Sequence, residues 1–337
     1  MIKASIIVPT YNHAPFIRQC LDSLVMQETN FPYEILVGED ESSDGTREIC
    51  IEYAQKYPEK IRLFLNKRAD VVYIHGYPTG RHNFLHLLKQ ARGEYLAFCD
   101  GDDYWNSTQK LQKQVEFLEN NPDYGIVHTG AVLLYEKTKK SIANLHAHLG
   151  LTIPEGKVYE KLLQRSFIVT ATMMVRKKFV DQLLEWEIFD PYKYMMLDYP
   201  IKLYAAYYSK VKFFPEKMAI HRILSESASN SKNVLKMLHF YQSQYELVNF
   251  FCGAFGCSHQ TRQNVNRRYY RMFIKRLAVL GKTREAREYF SKLKELEGGF
   301  FRLNWNDIAY FLFIMPIFNT IFRNVYLPIL KSRSKTF

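Results

Sequence analysis

The sequence predicts an α/β fold in which a mostly parallel sheet carries helices on both faces and is followed by a helical C-terminal region. Before residue 233, short runs rich in β-branched residues alternate with segments whose apolar residues recur at helical spacing. Strands that alternate with helices are typical of a parallel sheet covered on both faces. After residue 233 only helical spacing is found, so we expect two domains, residues 1–233 and 234–337.

The predicted elements of the first domain follow one another in a regular order. Residues 4–8 form a β-branched run that Pro9 closes, which is typical of a buried strand. Residues 13–26 then place apolar side chains at helical spacing. The same alternation predicts strands at 33–38, 61–65, 95–99 and 126–135, and helices at 46–57, 83–91 and 109–119.

The pattern changes after Asp198. A helix is predicted at 200–208 and a short strand at 211–214, and the small polar residues of 225–233 are typical of a loop or a domain boundary. Further helices are predicted at 235–251, 264–280 and 284–296, and the last two resemble a helical hairpin with its turn at Gly281.

Charge is unevenly distributed along the 337 residues, whose formal net charge is +12. Residues 258–337 contain 16 Lys or Arg and 5 Asp or Glu, whereas the rest of the chain is nearly neutral. The composition, 47% hydrophobic and 24% charged, excludes a disordered, collagen-like or disulfide-scaffold protein. Five scattered cysteines, and an apolar stretch before Pro9 that is too short for a signal peptide, predict a cytoplasmic protein with free thiols.

Acidic residues follow two of the predicted strands, at the ends where open α/β sheets bind ligands. The strand at 33–38 runs into EDESSDG, and the strand at 95–99 runs into DGDD. Clustered carboxylates repel one another, but they can hold Mg²⁺ or Mn²⁺ and can accept hydrogen bonds from ribose hydroxyls and ring N–H groups. Gly101 would let the backbone come close to a ligand. The alternative is that both segments are ordinary turns, with Asp44 capping the next helix.

Three segments, taken in order, resemble the family-2 glycosyltransferases, which have the Rossmann-like GT-A fold. They are SIIVPTYN at 5–12, GEDESSDGT at 38–46 and GEYLAFCDGDDYW at 93–105, and the resemblance covers about residues 1–230. It implies a nucleotide-sugar site built from Pro9, Thr10, Tyr11, Glu39, Asp40, Asp100, Gly101 and Arg222. Tyr11 would stack on the base and Asp40 would accept the uracil N–H. Glu39 departs from the family pattern, which usually has Asp at that position.

The resemblance also implies a catalytic base, Asp198, which would open a helix leading to a short strand. Its carboxylate would remove the proton of the acceptor hydroxyl, with inversion at the anomeric carbon. The alternative is that Asp198 only caps the helix. Arg222 would hold the diphosphate, and His221 is more often a structural residue than a metal ligand at such a position. The candidate ligands of the Mn²⁺ or Mg²⁺ ion are Asp102, Asp100 and His221.

The implied activity is transfer of a sugar from a nucleoside diphosphate, most simply UDP, to a glycan or lipid-linked glycan in surface polysaccharide synthesis. A nucleotidyltransferase is a weaker alternative, because PTYNHAPF lacks a Gly-rich, basic signature after the first strand. A further alternative is a non-catalytic protein that binds nucleotide sugars or nucleic acid. Tyr269, Tyr270 and Phe273 lie among arginines, a pattern compatible with nucleic-acid binding. The same rings would serve equally as a helix core, and the acidic loops argue against a nucleic-acid partner.

The basic C-terminal region contains an apolar run at 308–318, whose 11 residues are too few to cross a bilayer. Aromatic residues accompany it and basic residues follow it, so we expect it to lie on an anionic membrane, at the inner face of the cell membrane. The alternative is a helical cap that packs on the catalytic domain or on a second subunit, which would make the protein a homo-oligomer.

Overall fold

The computed structural model of the protein describes residues 1–143, 152–225, 227 and 230–298. Its contacts divide the chain into two compact units, Met1–Asn230 and Ser231–Phe337. The first unit contains the β-sheet, and the described part of the second unit consists of helices and their connections.

The strands of the first unit form a large mixed sheet and a small hairpin. They are β1 (Ala4–Thr10), β2 (Tyr33–Glu39), β3 (Ile61–Leu65), β4 (Tyr73–Ile74), β5 (Tyr77–Pro78), β6 (Tyr95–Phe98), β7 (Tyr104–Trp105), β8 (Tyr124–Tyr135), β9 (Lys140–Ala143), β10 (Met174–Arg176) and β11 (Lys210–Ile223). The large sheet has the order β3-β2-β1-β6-β10-β8-β11-β7, with β9 beside β8, and β4 pairs with β5.

The helices of the first unit lie between these strands in the chain. They are α1 (Ala14–Val25), α2 (Thr46–Lys56), α3 (Arg81–Gln90), α4 (Lys110–Asn120), α5 (Tyr159–Gln164), α6 (Lys177–Glu185) and α7 (Tyr199–Tyr208). Short 3-10 turns occur at Arg68–Asp70 and Thr170–Thr172.

The predicted α/β fold class is confirmed, and the strands predicted before residue 136 are all present. β1, β2, β3 and β6 are parallel neighbours, as the alternation with helices predicts. The sheet also contains antiparallel strands that the sequence did not reveal. β10 lies antiparallel between β6 and β8, and its three residues are too few to show a periodicity.

The strand predicted at 211–214 is longer than the sequence indicated, and that prediction of its length was wrong. β11 continues to Ile223 and pairs in parallel with β8, with shifts of register between Phe214 and Ala219. Pro215 lacks an N–H and therefore interrupts the ladder as a bulge. A Cβ atom at Gly130, opposite the bulge, would lie 2.9 Å from the Pro215 carbonyl oxygen, so a glycine is needed there.

The core is apolar on both faces of the sheet. On one face, Ile6 and Val8 of β1 belong to a buried cluster with residues of α1, α2 and α4. On the other face, α3 packs against β1 and β2, and the ring of Phe84 stacks on Phe98 of β6 with centroids 5.9 Å apart. Burial of alternate residues on both faces explains why these strands are continuous apolar runs.

The second unit consists, in its described part, of α8 (Val234–Ala254), α9 (His259–Val279) and α10 (Thr283–Leu296). The predicted hairpin is confirmed, since α9 packs on α10 and Gly281 forms the turn with a φ of 74°. Tyr269 and Phe273 are fully buried, so these aromatic rings form helix core and do not face a ligand.

No helix within the described residues is both long enough and apolar enough to cross a membrane. The predicted interfacial segment at 308–318, with the basic residues that follow it, lies outside the described residues.

Candidate active site

The two acidic loops meet at the C-terminal end of β1, which lies between β2 and β6. The amide of Asp40 donates to the Thr10 carbonyl oxygen at 3.2 Å, and the amide of Gly101 donates to the Pro9 carbonyl oxygen at 3.1 Å. The loops after β2 and β6 are therefore fastened to neighbouring residues of one strand. Because ligands bind where the carboxyl ends of parallel strands meet, this edge is the candidate active site.

Gly101 is in close contact with the loop that follows β1. A Cβ atom at this position would lie 2.4 Å from Thr10 Oγ1 and 2.9 Å from His13 Nδ1, distances that side chains do not reach without displacement. Thr10 is buried, and its hydroxyl hydrogen-bonds to His13 Nδ1 at 3.1 Å. The close approach of the DGDD segment to β1 therefore requires glycine, and the predicted approach of Gly101 to a ligand stays a prediction.

Asp40 presents a buried oxygen that has no hydrogen-bond partner. The residue is 3% exposed, its Oδ2 accepts a hydrogen bond from Arg68 Nη1 at 3.2 Å, and its Oδ1 accepts none. Burial raises the pKa of this carboxyl, although the Arg68 and His82 charges oppose the rise. The Arg68 guanidinium also lies 4.1 Å from the ring centroid of Tyr11, which is 40% exposed. A buried acceptor without a donor lowers the stability of the fold. Asp40 Oδ1 is therefore suited to accept a hydrogen bond from the N–H group of a ligand.

Glu39, beside Asp40, is turned toward its own loop. Its side chain is fully buried and accepts hydrogen bonds from the amide of Glu41 at 3.2 Å and the amide of Ser42 at 2.7 Å. It also accepts one from Arg47 Nε. The longer side chain at this position thus reaches two backbone amides and a guanidinium, and its observed contacts hold the loop.

Two further contacts join this loop to the segment after β1. The Asn12 amide donates to Ser42 Oγ at 2.9 Å, and the Ser43 amide donates to Asn12 Oδ1 at 3.1 Å. Asp44 accepts hydrogen bonds from the amides of Thr46 at 3.1 Å and Ala14 at 3.0 Å, so it forms a turn before α2, whose N-cap residue is Gly45, and also holds the start of α1. The segment forms a turn, as the alternative interpretation expected, but Asp44 is not the N-cap residue of α2, and the buried Asp40 lies four residues before it in the same loop.

Asp100, Asp102 and Asp103 form the one cluster of possible metal ligands in the described part of the chain, with one carboxylate oxygen from each within 4.8 Å of the others. Burial, followed by the charges of Asp102, Asp103 and Asp198, raises the pKa of Asp100 well above its usual value. Burial and the charge of Asp103 raise the pKa of Asp102 in the same way. A divalent cation would relieve this repulsion, and three oxygen ligands are the type that Mg²⁺ and Mn²⁺ prefer.

Two residues of β11 bind the side-chain carboxylate of Asp103. Its Oδ2 lies 2.9 Å from His221 Nδ1, and its Oδ1 accepts a hydrogen bond from the Arg222 amide at 2.8 Å. Burial lowers the pKa of His221, but the neighbouring Asp103 carboxylate outweighs this effect and raises that pKa to about 9. In the structure, therefore, Nδ1 of this histidine is engaged by the Asp103 carboxylate, which favours the protonated ring. Its role as a metal ligand stays a prediction.

Arg222 uses its guanidinium to hold the DGDD loop against α1. The side chain is 6% exposed, Nη1 donates to the Asp102 carbonyl oxygen, and Nη2 donates to Gln19 Oε1. The guanidinium lies between the rings of Phe16 and Tyr104, at 4.9 and 4.7 Å from their centroids. These contacts are all to protein groups, and the diphosphate contact expected from the sequence stays a prediction.

Asp198 precedes α7 and is held by side chains. Thr170 Oγ1 and Lys202 Nζ both donate to its Oδ2, and no side-chain hydrogen bond from Asp198 caps the helix. The carboxylate is one-quarter exposed, at 25%, and its charge is among those that raise the pKa of Asp100. The Asp198 charge therefore acts on the acidic cluster, its role as the base stays a prediction, and its side chain does not cap the helix.

Arg81 fixes the segment that leads to Asp198. This residue begins α3 and is 2% exposed, and its guanidinium donates to the carbonyl oxygens of Pro191 and, at 2.9 Å, Met196. Burial lowers the pKa of Arg81 to about 10, and the Asp190 charge opposes part of the shift. A buried arginine thus orders the backbone just before Asp198.

The sequence model for glycosyl transferase family 2 matches residues 5–184, which is more than half of the chain. The chain belongs to this family. The match covers the three loops at the ends of β1, β2 and β6, and it ends before Asp198.

Several curated proteins resemble part of the chain. An uncharacterized protein of Mycobacterium tuberculosis is 33% identical over 221 residues, which are 65% of this chain and 58% of that protein. The putative teichuronic acid biosynthesis glycosyltransferase TuaG of Bacillus subtilis is 30% identical over 182 residues, 53% of this chain and 64% of that protein. The chain therefore spans about three-fifths of the length of these relatives.

Solved structures of glycosyltransferases share the fold. S. aureus TarS 1-349 in complex with UDP-GlcNAc matches with a TM-score of 0.53 at 17% identity, covering 93% of this chain and 79% of that one. A mannosyltransferase from Pyrobaculum calidifontis in complex with GDP-Man and Mn²⁺ matches with a TM-score of 0.55 at 16% identity, covering 87% and 80%. These likenesses confirm the predicted GT-A fold.

Lys202 and Thr170 were not recognised from the sequence of this family-2 glycosyltransferase. Lys202 could have been recognised as a partner of Asp198. It is the single charged residue in the apolar helix YPIKLYAAYY, and it follows Asp198 by one helical turn. Thr170 gave no signal, since its contact with Asp198 joins residues 28 positions apart.

Proposed function

We propose that the protein transfers a sugar from a nucleoside diphosphate, UDP above all, to an acceptor hydroxyl with inversion at the anomeric carbon. The observation that carries this proposal is the meeting of Asp40, the Asp100–Asp102–Asp103 cluster and Asp198 around one edge of the sheet. Membership of glycosyl transferase family 2 supports it, as do the UDP-GlcNAc and GDP-Man complexes of the TarS and Pyrobaculum structures.

The nucleotide would bind at the end of β1. Asp40 Oδ1, the buried oxygen without a partner, would accept the N–H of uracil, and Tyr11 would stack on the base. The Arg68 guanidinium now over the Tyr11 ring would move aside or stack on the base from the other side. Pro9, Thr10 and Gly101 would form the floor, and Asp100 would accept from the ribose.

The acidic cluster fits a divalent ion, Mn²⁺ or Mg²⁺. Asp102 and Asp100 would hold it, because Asp103 already accepts hydrogen bonds from His221 and the Arg222 amide. The supporting observation is that carboxylate oxygens of Asp100, Asp102 and Asp103 lie within 4.8 Å of one another, where burial and the neighbouring charges raise the pKa of Asp100 and Asp102. When bound, such an ion supplies positive charge to the leaving diphosphate. Arg222 and Glu39 would act as loop-holding residues in the donor site.

Asp198 would accept the proton of the acceptor hydroxyl. Hydrogen bonds and the Lys202 charge outweigh the effect of burial and hold the pKa of Asp198 below its usual value, so the carboxylate is ionised. A weak base of this kind is sufficient when the proton leaves late, after bond formation has made the hydroxyl acidic.

A binding and turnover experiment tests this proposal. Calorimetry should show UDP binding that requires Mn²⁺ or Mg²⁺, and a donor screen with that ion should identify a sugar that is transferred or hydrolysed. Asp198→Asn should bind UDP normally while turnover falls by about 100- to 10,000-fold.

The matched control is Asp181→Asn, which changes an exposed aspartate on α6 that pairs with Lys177 at 2.6 Å. It should leave turnover unchanged. Wild-type turnover in Asp198→Asn would show that this residue is not the catalytic base. UDP binding of equal affinity with and without Mn²⁺ or Mg²⁺ would show that donor binding does not require a metal ion.

The acceptor would be a glycan or lipid-linked glycan of the cell surface. Support comes from TuaG, whose name refers to teichuronic acid biosynthesis, and from the basic C-terminal region. Such an acceptor would place the enzyme in the cytoplasm, attached peripherally to the anionic inner face of the membrane. Pairing of two copies through the C-terminal region would be compatible with this arrangement.

A further inference from the structure

Lys202 is a buried cation whose contacts converge on the proposed base. Only 2% of its side chain is exposed, and its ammonium donates to the Ile168 carbonyl oxygen at 2.8 Å and to Thr170 Oγ1 at 3.1 Å. The third hydrogen bond goes to Asp198 Oδ2. An ammonium group has three donors, so this position satisfies a charged lysine completely.

Both side chains that bind the Asp198 carboxylate bind the same oxygen. Thr170 Oγ1 and Lys202 Nζ donate to Oδ2, and no other residue in the described ranges hydrogen-bonds to Oδ1. The carboxylate cannot rotate about its Cβ–Cγ bond without losing both hydrogen bonds. Oδ1 is therefore the oxygen that remains able to accept a proton from a substrate.

Packing alone does not account for a lysine at this position. Removing an ammonium ion and a carboxylate from water costs several kcal/mol for each ion, and apolar replacements of similar volume are often as stable. The neighbours of Lys202 on α7, Ile201 and Leu203, are apolar and buried, so an apolar residue would suit the helix. An expensive ion pair beside a cluster of acidic residues points to a role in chemistry.

We propose that Lys202, together with Thr170, is a positioning residue that holds Oδ2 of Asp198 and leaves Oδ1 to receive the acceptor proton. This inference rests on the proposed role of Asp198 as the base. Lys202 acts through Asp198 and does not act on the substrate itself. Asp100, in the loop after β6, lies close enough to Asp198 for the Asp198 charge to raise its pKa, and it is part of the proposed donor site.

Two substitutions of Thr170 separate hydrogen bonding from packing. Thr170→Val keeps the shape but removes the hydroxyl, whereas Thr170→Ser keeps the hydroxyl and removes a methyl group. We expect kcat to fall about 10-fold in Thr170→Val and to stay within about 3-fold of wild type in Thr170→Ser. The donor KM and the UDP affinity with Mn²⁺ should change by less than about 3-fold in both.

Lys202→Met is the stronger test, because methionine matches the length of the chain but has no charge or donor. Asp198 would lose its cation while half-buried, and kcat should fall by about 100-fold or more with donor binding retained. Lys210→Met is the matched control, since Lys210 is an exposed lysine that pairs with Asp123 at 2.6 Å. Its kcat should equal that of the wild type.

The outcomes distinguish this inference from the proposed function. If Asp198→Asn abolishes turnover while Thr170→Val and Lys202→Met keep the wild-type kcat, the positioning role is wrong and the base is right. If Thr170→Ser loses as much kcat as Thr170→Val, the methyl contact matters and the hydrogen bond does not. If Asp198→Asn itself stays active, both the base and its positioning residues are wrong. If Lys202→Met does not fold, the comparison of kcat between Thr170→Val and Thr170→Ser tests the positioning role.

Discussion

At the scale of single residues, Gly101 sets how closely the DGDD loop approaches β1. The absent side chain leaves room for Thr10 Oγ1 and His13 Nδ1, which a Cβ atom would meet at 2.4 and 2.9 Å. Thr10 is buried and cannot move outward without disturbing the end of the strand. The position of the acidic cluster therefore depends on the absence of a Cβ atom at residue 101.

Gly101→Ala should displace this loop. We expect a loss of about 1–3 kcal/mol in the free energy of unfolding, because overpacking at a tight contact forces the backbone to shift. The affinity for UDP with Mn²⁺ should fall by about 10-fold or more, measured by calorimetry. Gly80→Ala is the control, because no atom lies within 4 Å of a Cβ at that position. Equal affinities in the two variants would show that the close contact is unimportant.

The acidic residues of the site could be recognised from the sequence, but their partners could not. DGDD and EDESSDG follow apolar strands, and this arrangement predicts that they meet. The partners come from distant segments, as when Arg222 reaches Gln19 across 203 positions. In the structure the Arg222 guanidinium is buried and bonded to protein groups, and its predicted contact with a diphosphate stays a prediction.

At the scale of the elements, long periodic segments were predictable and short ones were not. β3 was predicted with its observed ends, Ile61–Leu65, because its apolar run is bounded by polar residues. β7 and β10 have two and three residues, and each is a strand only because a neighbouring strand supplies its hydrogen bonds. Tertiary pairing of this kind leaves no pattern in the segment itself.

Helix α4 contains a buried lysine that makes stability depend on pH. Lys110 is fully buried, its Nζ donates to Gln114 Oε1 at 2.8 Å, and it lies 3.9 Å from the ring centroid of Trp105. Burial lowers the pKa of Lys110 from 10.5 to about 7, and the Cys99 thiol opposes the shift only in part. Above about pH 7 the unfolded chain therefore holds a proton that the folded chain has released, and stability rises with pH on account of this group.

Lys110→Met should be stabilised relative to wild type at neutral pH by an amount that shrinks as the pH rises. We expect the difference in the free energy of unfolding to fall by about 1–2 kcal/mol between about pH 7 and about pH 8.5, measured by urea denaturation. Taking the difference cancels His221, whose raised pKa acts in the opposite direction in both proteins. Lys113→Met, at an exposed lysine of the same helix, should show no such change with pH. A constant difference for Lys110→Met would mean that Lys110 stays charged.

At the scale of the whole molecule, the two parts of the chain differ in net charge. The excess of basic residues lies after residue 258, in α9, α10 and the residues that follow. Part of it is exposed in α10, where the side chain of Arg284 is 95% exposed. This distribution was readable from the sequence, and the contacts of the chain divide it after Asn230, within the polar segment at 225–233.

The full-length chain should bind anionic vesicles. Phosphatidylglycerol vesicles should sediment with the protein at about 50 mM salt and release it at about 500 mM salt, because the attraction is screened at high ionic strength. Phosphatidylcholine vesicles should bind much less protein. Reversal of exposed charges, Arg284→Glu with Lys292→Glu, should weaken the binding without changing donor affinity. Sedimentation that ignores lipid charge and salt would refute electrostatic attachment.

The buried guanidinium of Arg81 has a consequence for engineering acceptor preference. To change acceptor preference, one would first exchange residues 190–198 for the corresponding segment of another enzyme, because this segment leads to Asp198, the proposed base. The incoming backbone would have to offer carbonyl oxygens where Pro191 and Met196 now offer them. Otherwise a buried cation would lose its partners, at a cost of about 3–5 kcal/mol. Chimeras should therefore exchange the start of α3 together with this stretch, as one transplanted unit.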